Sequence, residues 1–242
     1  MFVAILITLL AYQFVFAQKT QNRFSTGKEK IITKDEFNAL KYKAINALES
    51  QNYRVKTVEE ILSGASAVPD ETRTEVRESA PDKMRIVMEI KKAGSIGSKT
   101  GFMMIGKARY SLDTSGNWIL DPRAGYGSGV GSGSGGAQRD TRIYKFIGRT
   151  KLAGKPVLVY EVSGLYPSYF NERFVETDEV MRYWFSPDGK LLRQEVTSNY
   201  PALNLRVKKI VVNEYNPRLS IQAPAQRNSG LSKPMASFNN FM

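Results

Sequence analysis

The sequence contains 0 Cys and 0 His in 242 residues. Without histidine there is no Ser-His-Asp or Cys-His nucleophile machinery, and the commonest zinc ligand is gone. Without cysteine there is no disulfide, no thiolate chemistry and no residue for lipid attachment at an exported N-terminus. The roughly 220 residues behind the N-terminal segment must therefore be held by an ordinary apolar core. Metal sites made only of carboxylates need a pattern such as D-x-[DN]-x-[DN]-G, and none is present. Asp70-Glu71 and Asp178-Glu179 sit beside turn-like residues and do not read as an acid–base pair. No catalytic set, metal or cofactor is expected, and the chain does not read as an enzyme.

Charge is missing from the beginning of the chain. No charged residue occurs from Phe2 to Phe16, and Val15-Phe16-Ala17 places small or permitted residues where a signal peptidase reads them. Residues 1–17 are expected to be a signal peptide, cleaved after Ala17. No Lys or Arg precedes the apolar run, which leaves an uncleaved anchor as the alternative, although about 15 residues is short for a span. The expected location is periplasmic or secreted, soluble after cleavage.

What the chain has in excess is positive charge: 35 Lys and Arg against 23 Asp and Glu, a net charge of +12. An exported basic protein suits an anionic lipid surface or an acidic protein partner, or the charge serves only solubility. No nucleic-acid-reading pattern appears.

Residues 18–33 read as a flexible lead-in. At its end, Thr33 and Glu36 form a T-x-x-E capping box. Phe37, Leu40, Ala44, Ile45 and Leu48 then recur at helical spacing, and Asn52 is a candidate left-handed stop. The rest reads as about ten strands and their turns. "KMRIVMEIKK" alternates cleanly, with Met84, Ile86, Met88 and Ile90 predicted inward and Arg85, Glu89 and Lys91 outward. "YRVKTVEEIL" is a strand whose Val58–Leu62 portion also suits a helix, and "LSIQAP" (219–224) reads as a short closing strand. In "RYWFSPDGKLLRQEV" (182–196), Pro187, Asp188 and Gly189 spell a tight turn between two strands. Met181, Tyr183 and Phe185 fall on one face of the first strand, Arg182 and Trp184 on the other. Residues 125–136 form a Gly/Ser loop, and 225–242 a tail without periodicity that is expected to be mobile.

Two phosphate- or serine-chemistry matches fail on context. "AGSIGSKTG" (93–101) has Ser98 where a P-loop requires Gly, and a strand-like run follows where a helix is needed. Its K-T-G and the upstream S-x-x-K at Ser25 lack an S-D-N element. The segment is predicted to be a hairpin loop. The large adaptable side chains on strands, above all Phe102, Met104, Tyr183 and Phe185, either line an apolar cavity or pack on the helix.

"APDKMRIVMEI", "GNWIL", "LAGKPVLVYEV" and "RYWFSPDGKLLRQEV" follow the N-terminal helix in that order, and together they resemble the LolA-like superfamily of periplasmic lipoprotein-sorting and lipid-carrier proteins. The resemblance runs over residues 34–224. It implies an α+β fold in which a large antiparallel sheet curves into an unclosed half-barrel covering an N-terminal helix. It also implies a binding protein that shields a lipid acyl chain or an acylated protein between sheet and helix. Under this reading Phe102, Met104, Tyr183 and Phe185 are the cavity-lining residues. The alternative is an envelope protein-interaction or sensing domain with a filled core and a basic recognition surface.

Overall fold

The computed structural model describes residues 29–95, 97–120, 141–170 and 173–224. The expected signal peptide, most of the lead-in, the Gly/Ser loop 125–136 and the tail 225–242 lie outside the described residues. Among the described residues the fold is α+β: a twelve-stranded, unclosed antiparallel sheet in a half-barrel, with one α-helix. In chain order the elements are β1 (Lys30–Ile31), α1 (Lys34–Glu49), β2 (Tyr53–Ser63), β3 (Glu71–Ala80), β4 (Lys83–Lys92), β5 (Ser98–Ile105) and β6 (Ala108–Leu112). There follow β7 (Trp118–Leu120), β8 (Ile143–Leu152), β9 (Lys155–Phe170), β10 (Arg173–Phe185), β11 (Leu191–Tyr200), a 3₁₀ turn (Pro201–Leu203) and β12 (Leu205–Tyr215).

In space the strands run β1-β8-β9-β10-β11-β12-β2-β3-β4-β5-β6-β7. Two up-and-down meanders, β2–β7 and β8–β12, are thus fused where β12 pairs with β2, from Leu205↔Ser63 to Tyr215↔Tyr53. The register assigns every residue to a face, because side chains alternate along each strand and paired residues share a face. Following the pairs across the sheet puts Met84, Ile86, Met88, Ile90, Phe102, Met104, Met181, Tyr183 and Phe185 on one face. That is the face α1 covers, as the alternation predicted.

The helix starts as read from sequence. Thr33 Oγ1 accepts from the Glu36 amide at 3.1 Å, and Glu36 Oε2 accepts from the Thr33 amide at 2.7 Å. Its end differs: α1 closes at Ser50 in the right-handed region, and Asn52 has no positive φ. Phe37 and Ala44 are fully buried against Tyr144, Val162, Tyr183 and Phe185 from β8, β9 and β10. On the opposite face Val157, Val159 and Trp184 make a second, smaller cluster. Val58–Leu62 is strand, since it pairs on both sides with β12 and β3. Residues 219–224 make no strand pairing, although Ile221 is buried. The turn after β10 closes with Ser186 N–H donating to Lys190 O at 2.8 Å and Gly189 N–H to Ser186 O at 2.9 Å. Gly189 has a φ of +92°, a conformation that L side chains resist.

Beyond the reach of α1 the sheet is tied together by charge. On the face opposite the helix, Glu78 of β3 is buried between two guanidinium groups. It accepts from Arg54 Nε of β2 at 2.9 Å and from Arg85 Nε of β4 at 2.8 Å, and Arg54 reaches on to Glu214 of β12 at 2.8 Å. Arg85, predicted outward, lies on that outer face and forms one arm of this network. Both arginines stay about one-third exposed, so they can rehydrate when the carboxylate is removed. We expect Glu78→Ala to cost about 2 kcal/mol in urea denaturation, below the 3–5 kcal/mol of a fully buried broken pair. A change under about 0.5 kcal/mol, the range of an ordinary surface substitution, would mean that the network contributes nothing to holding β2, β3 and β4 together.

Candidate functional site

Two adjoining stripes run along α1. Phe37 and Ala44 point into the core, whereas Glu36, Leu40 and Lys43, at spacings of four and three, form the neighbouring stripe. Between that second stripe and the strands beneath lies a cavity of about 620 Å³. Its sheet side is built by Phe146 and Arg149 of β8 and Leu158 and Tyr160 of β9, and its end by Lys30 and Ile32. Ala39 gives the helix side a short wall where a longer side chain would fill the space.

The cavity abuts an aromatic core. Phe37 meets Tyr183 edge-on at 4.9 Å and Tyr144 tilted at 5.4 Å. Tyr160 stands perpendicular to Phe185 at 5.6 Å and is 5.2 Å from Phe146, so one ring serves as both core wall and cavity wall. Burial, with a smaller contribution from the Glu36 charge, raises the Tyr160 phenol above its ordinary value and keeps the wall neutral.

The rim is cationic. Lys30, Lys43 and Arg149 line the opening, with Glu36 as the single carboxylate. Glu36 is already committed to the capping box: its hydrogen bonds to Thr33 hold its pKa below the usual carboxylate value. Arg149 owes its direction to a β-bulge. The β8–β9 register shifts between Phe146 and Gly148, so Arg149 falls opposite Leu158 on the helix-covered face instead of on the outer one. Lys43 crosses the turn at Gly189: a Cβ placed there would sit 3.0 Å from its Cδ and Cε.

The four residues proposed from sequence divide into two pairs. Tyr183 and Phe185 stack at 6.3 Å, wholly buried under Phe37. Phe102 and Met104 share their face but lie on β5. The strands β11, β12, β2, β3 and β4 intervene, roughly 29 Å along the sheet at about 4.8 Å per strand. Phe102 lies under the Arg109 guanidinium at 5.5 Å, and Met104 is 38% exposed. The residues that line the helix-side cavity on the sheet were not picked out from sequence. Alternation in "LVYEV" puts Leu158 and Tyr160 on one face and was a usable signal. Nothing in the sequence marked Lys43 or Arg149. Two smaller cavities, about 400 and 230 Å³, lie farther along the same face and share Thr57, Glu59 and Lys209.

No protein-family model and no curated protein matches the chain. Among solved structures it is similar to the lipoprotein LppX of Mycobacterium tuberculosis, at 9% identity and a TM-score of 0.46, over 78% of this chain and 100% of that one. It is similar to a LolA superfamily protein from Nitrosomonas europaea at 10% identity and a TM-score of 0.27, over 76% and 94% of the two chains. A DUF1329 family protein from Desulfovibrio piger is similar at 11% identity and 0.27, again over 76% and 94%. These likenesses concern the fold and identify neither a ligand nor a site.

The aromatic core under α1 has a titration signature. Burial pushes the Tyr183 phenol from 10.0 up to about 12, with the Glu179 charge adding to the shift. The unfolded chain ionises this group first, so its contribution to stability is complete below pH 10 and is lost as pH rises from 10 to 12. Measured by urea denaturation, the stability of the wild type relative to Tyr183→Phe should fall by about 2–3 kcal/mol between pH 9 and 12. A difference that stays constant over that range would mean that the phenol is not desolvated.

Proposed function

We infer that this protein is a non-enzymatic, exported binding protein that shields one acyl chain between α1 and the β8–β9 strands. The observation that carries this reading is the cavity itself: about 620 Å³, floored by Phe146, Leu158 and Tyr160 and roofed by Leu40. An engineered apolar cavity of ~150 Å³ takes a benzene ring, so this open space has room for an acyl chain. Apolar area removed from water there is worth roughly 25 cal/mol per Å². The LolA-like resemblance of the sequence motifs points the same way. The ligand seat lies beside the Tyr183–Phe185 stack, not within it. Phe185→Asp would therefore bury a charge in the core and test folding instead of binding.

A second reading, a protein-interaction domain, is favoured by one specific observation. The apolar row of β4 and β5, Met84, Ile86, Met88, Phe102 and Met104, has no described element over it and is only partly buried. Two measurements separate the readings. Native mass spectrometry of the purified protein should show a co-purifying lipid-sized mass, or uptake of a fluorescent fatty acid by the lipid-free protein. Ala39→Trp should fill the cavity from the exposed side of the helix. It should cut uptake by at least about tenfold, with stability within about 0.5 kcal/mol of wild type. A lipid-free mass with no uptake would move the assignment to the interaction surface. Uptake unaffected by Ala39→Trp would move the ligand off this cavity.

A further inference from the structure

We propose that the ligand is an anionic single-chain amphiphile whose carboxylate or phosphate headgroup is held at the cavity mouth by Lys43 and Arg149. This rests on the acyl-chain reading above and adds the chemistry that selects among acyl chains. Three observations on the rim support it. The mouth carries three cations, Lys30, Lys43 and Arg149, against one carboxylate, and Glu36 already accepts from Thr33. Among the described residues Lys43 and Arg149 have no ion-pair partner, so no described carboxylate competes for them. Both cations are also placed by backbone irregularities. The β8 bulge turns Arg149 to the cavity face, and the glycine at 189 leaves room for the Lys43 stem to cross the turn.

The electrostatics suit a headgroup left at the water boundary. Lys43 and Arg149 are exposed at the rim, so neither has to be stripped of solvent before binding. An anion there accepts charge-assisted hydrogen bonds from a guanidinium fork and an ammonium while its chain enters the apolar floor. A zwitterionic headgroup would bring a second positive charge to a mouth already in positive excess. A neutral one would leave the cations unmatched.

The test uses the full chain, freed of lipid, with palmitate and methyl palmitate as probes. They share a chain and differ in headgroup charge. The acid should bind at least about tenfold tighter than the ester, and that preference should shrink between about 50 and 500 mM salt. In the Lys43→Gln/Arg149→Gln double variant the acid-to-ester ratio should approach one. The charge-conserving pair Lys43→Arg/Arg149→Lys should keep most of it, with circular dichroism confirming the fold of each variant. Equal affinity for acid and ester, both blocked by Ala39→Trp, would overturn the headgroup assignment and leave the acyl-chain reading standing. Failure of both probes to bind would overturn both. A double variant that binds with the wild-type ratio would remove Lys43 and Arg149 from headgroup recognition.

Discussion

The ring of Phe37 is set edge-on to Tyr183 and tilted on Tyr144, and this contact fastens the helix to the sheet. Aromatic pairs in these geometries contribute about 0.5–1.5 kcal/mol beyond the area they bury. Ala44, two turns on, lets the helix axis approach closely, so the aromatic contacts of Phe37 are made at full depth. The position of α1 over β8–β10 follows from that docking. The cavity follows in turn, because the stripe beside Phe37 is lifted over β8 and β9 without touching them everywhere.

One helix cannot cover twelve strands, and the structure divides its means of cohesion accordingly. Under α1 the sheet is held by aromatic and aliphatic burial. Away from it, most side chains of β2–β4 are only half-buried. There, neighbouring strands exchange charges: Arg73 with Glu59, Lys92 with Glu71, and the Glu78 carboxylate between Arg54 and Arg85. Apart from the buried Glu78 site, such pairs contribute little one by one, of the order of 0–1 kcal/mol. They do neutralise the basic surface locally. At the mouth of the cavity, Lys43 and Arg149 have no such partner among the described residues.

Local signals were legible for physical reasons that can be named. The T-x-x-E box specifies a helix start because two orphan amides and two side chains satisfy one another within four residues. The Pro187–Gly189 turn is equally local. Alternation assigned Met84–Ile90 and Met181–Phe185 to the correct face because a strand's period of two leaves only two choices. Reading those same residues as one cavity failed to anticipate their separation, since facing says nothing about which strands are neighbours. Asn52 looked like a helix stop because Asn tolerates positive φ. Ser50 ends the helix without that conformation, and Asn52 O instead accepts the Asn216 amide at 2.8 Å.

By itself, then, the sequence determined the capped helix, the hairpin turns, the apolar face of each strand and the absence of histidine and cysteine chemistry. Each depends on residues only a few positions apart, or on composition. Tertiary structure alone decided the strand order, in which β12 returns to lie against β2 and separates the Phe102 and Tyr183 strands. It alone decided that Leu40, Lys43, Arg149, Leu158 and Tyr160, from three elements, line one space. Two one-residue geometric events fixed the charges at its rim: a register shift in β8 and a glycine beside Lys43. A bulge exists only relative to a partner strand, so no reading of β8 alone could have shown where Arg149 would point.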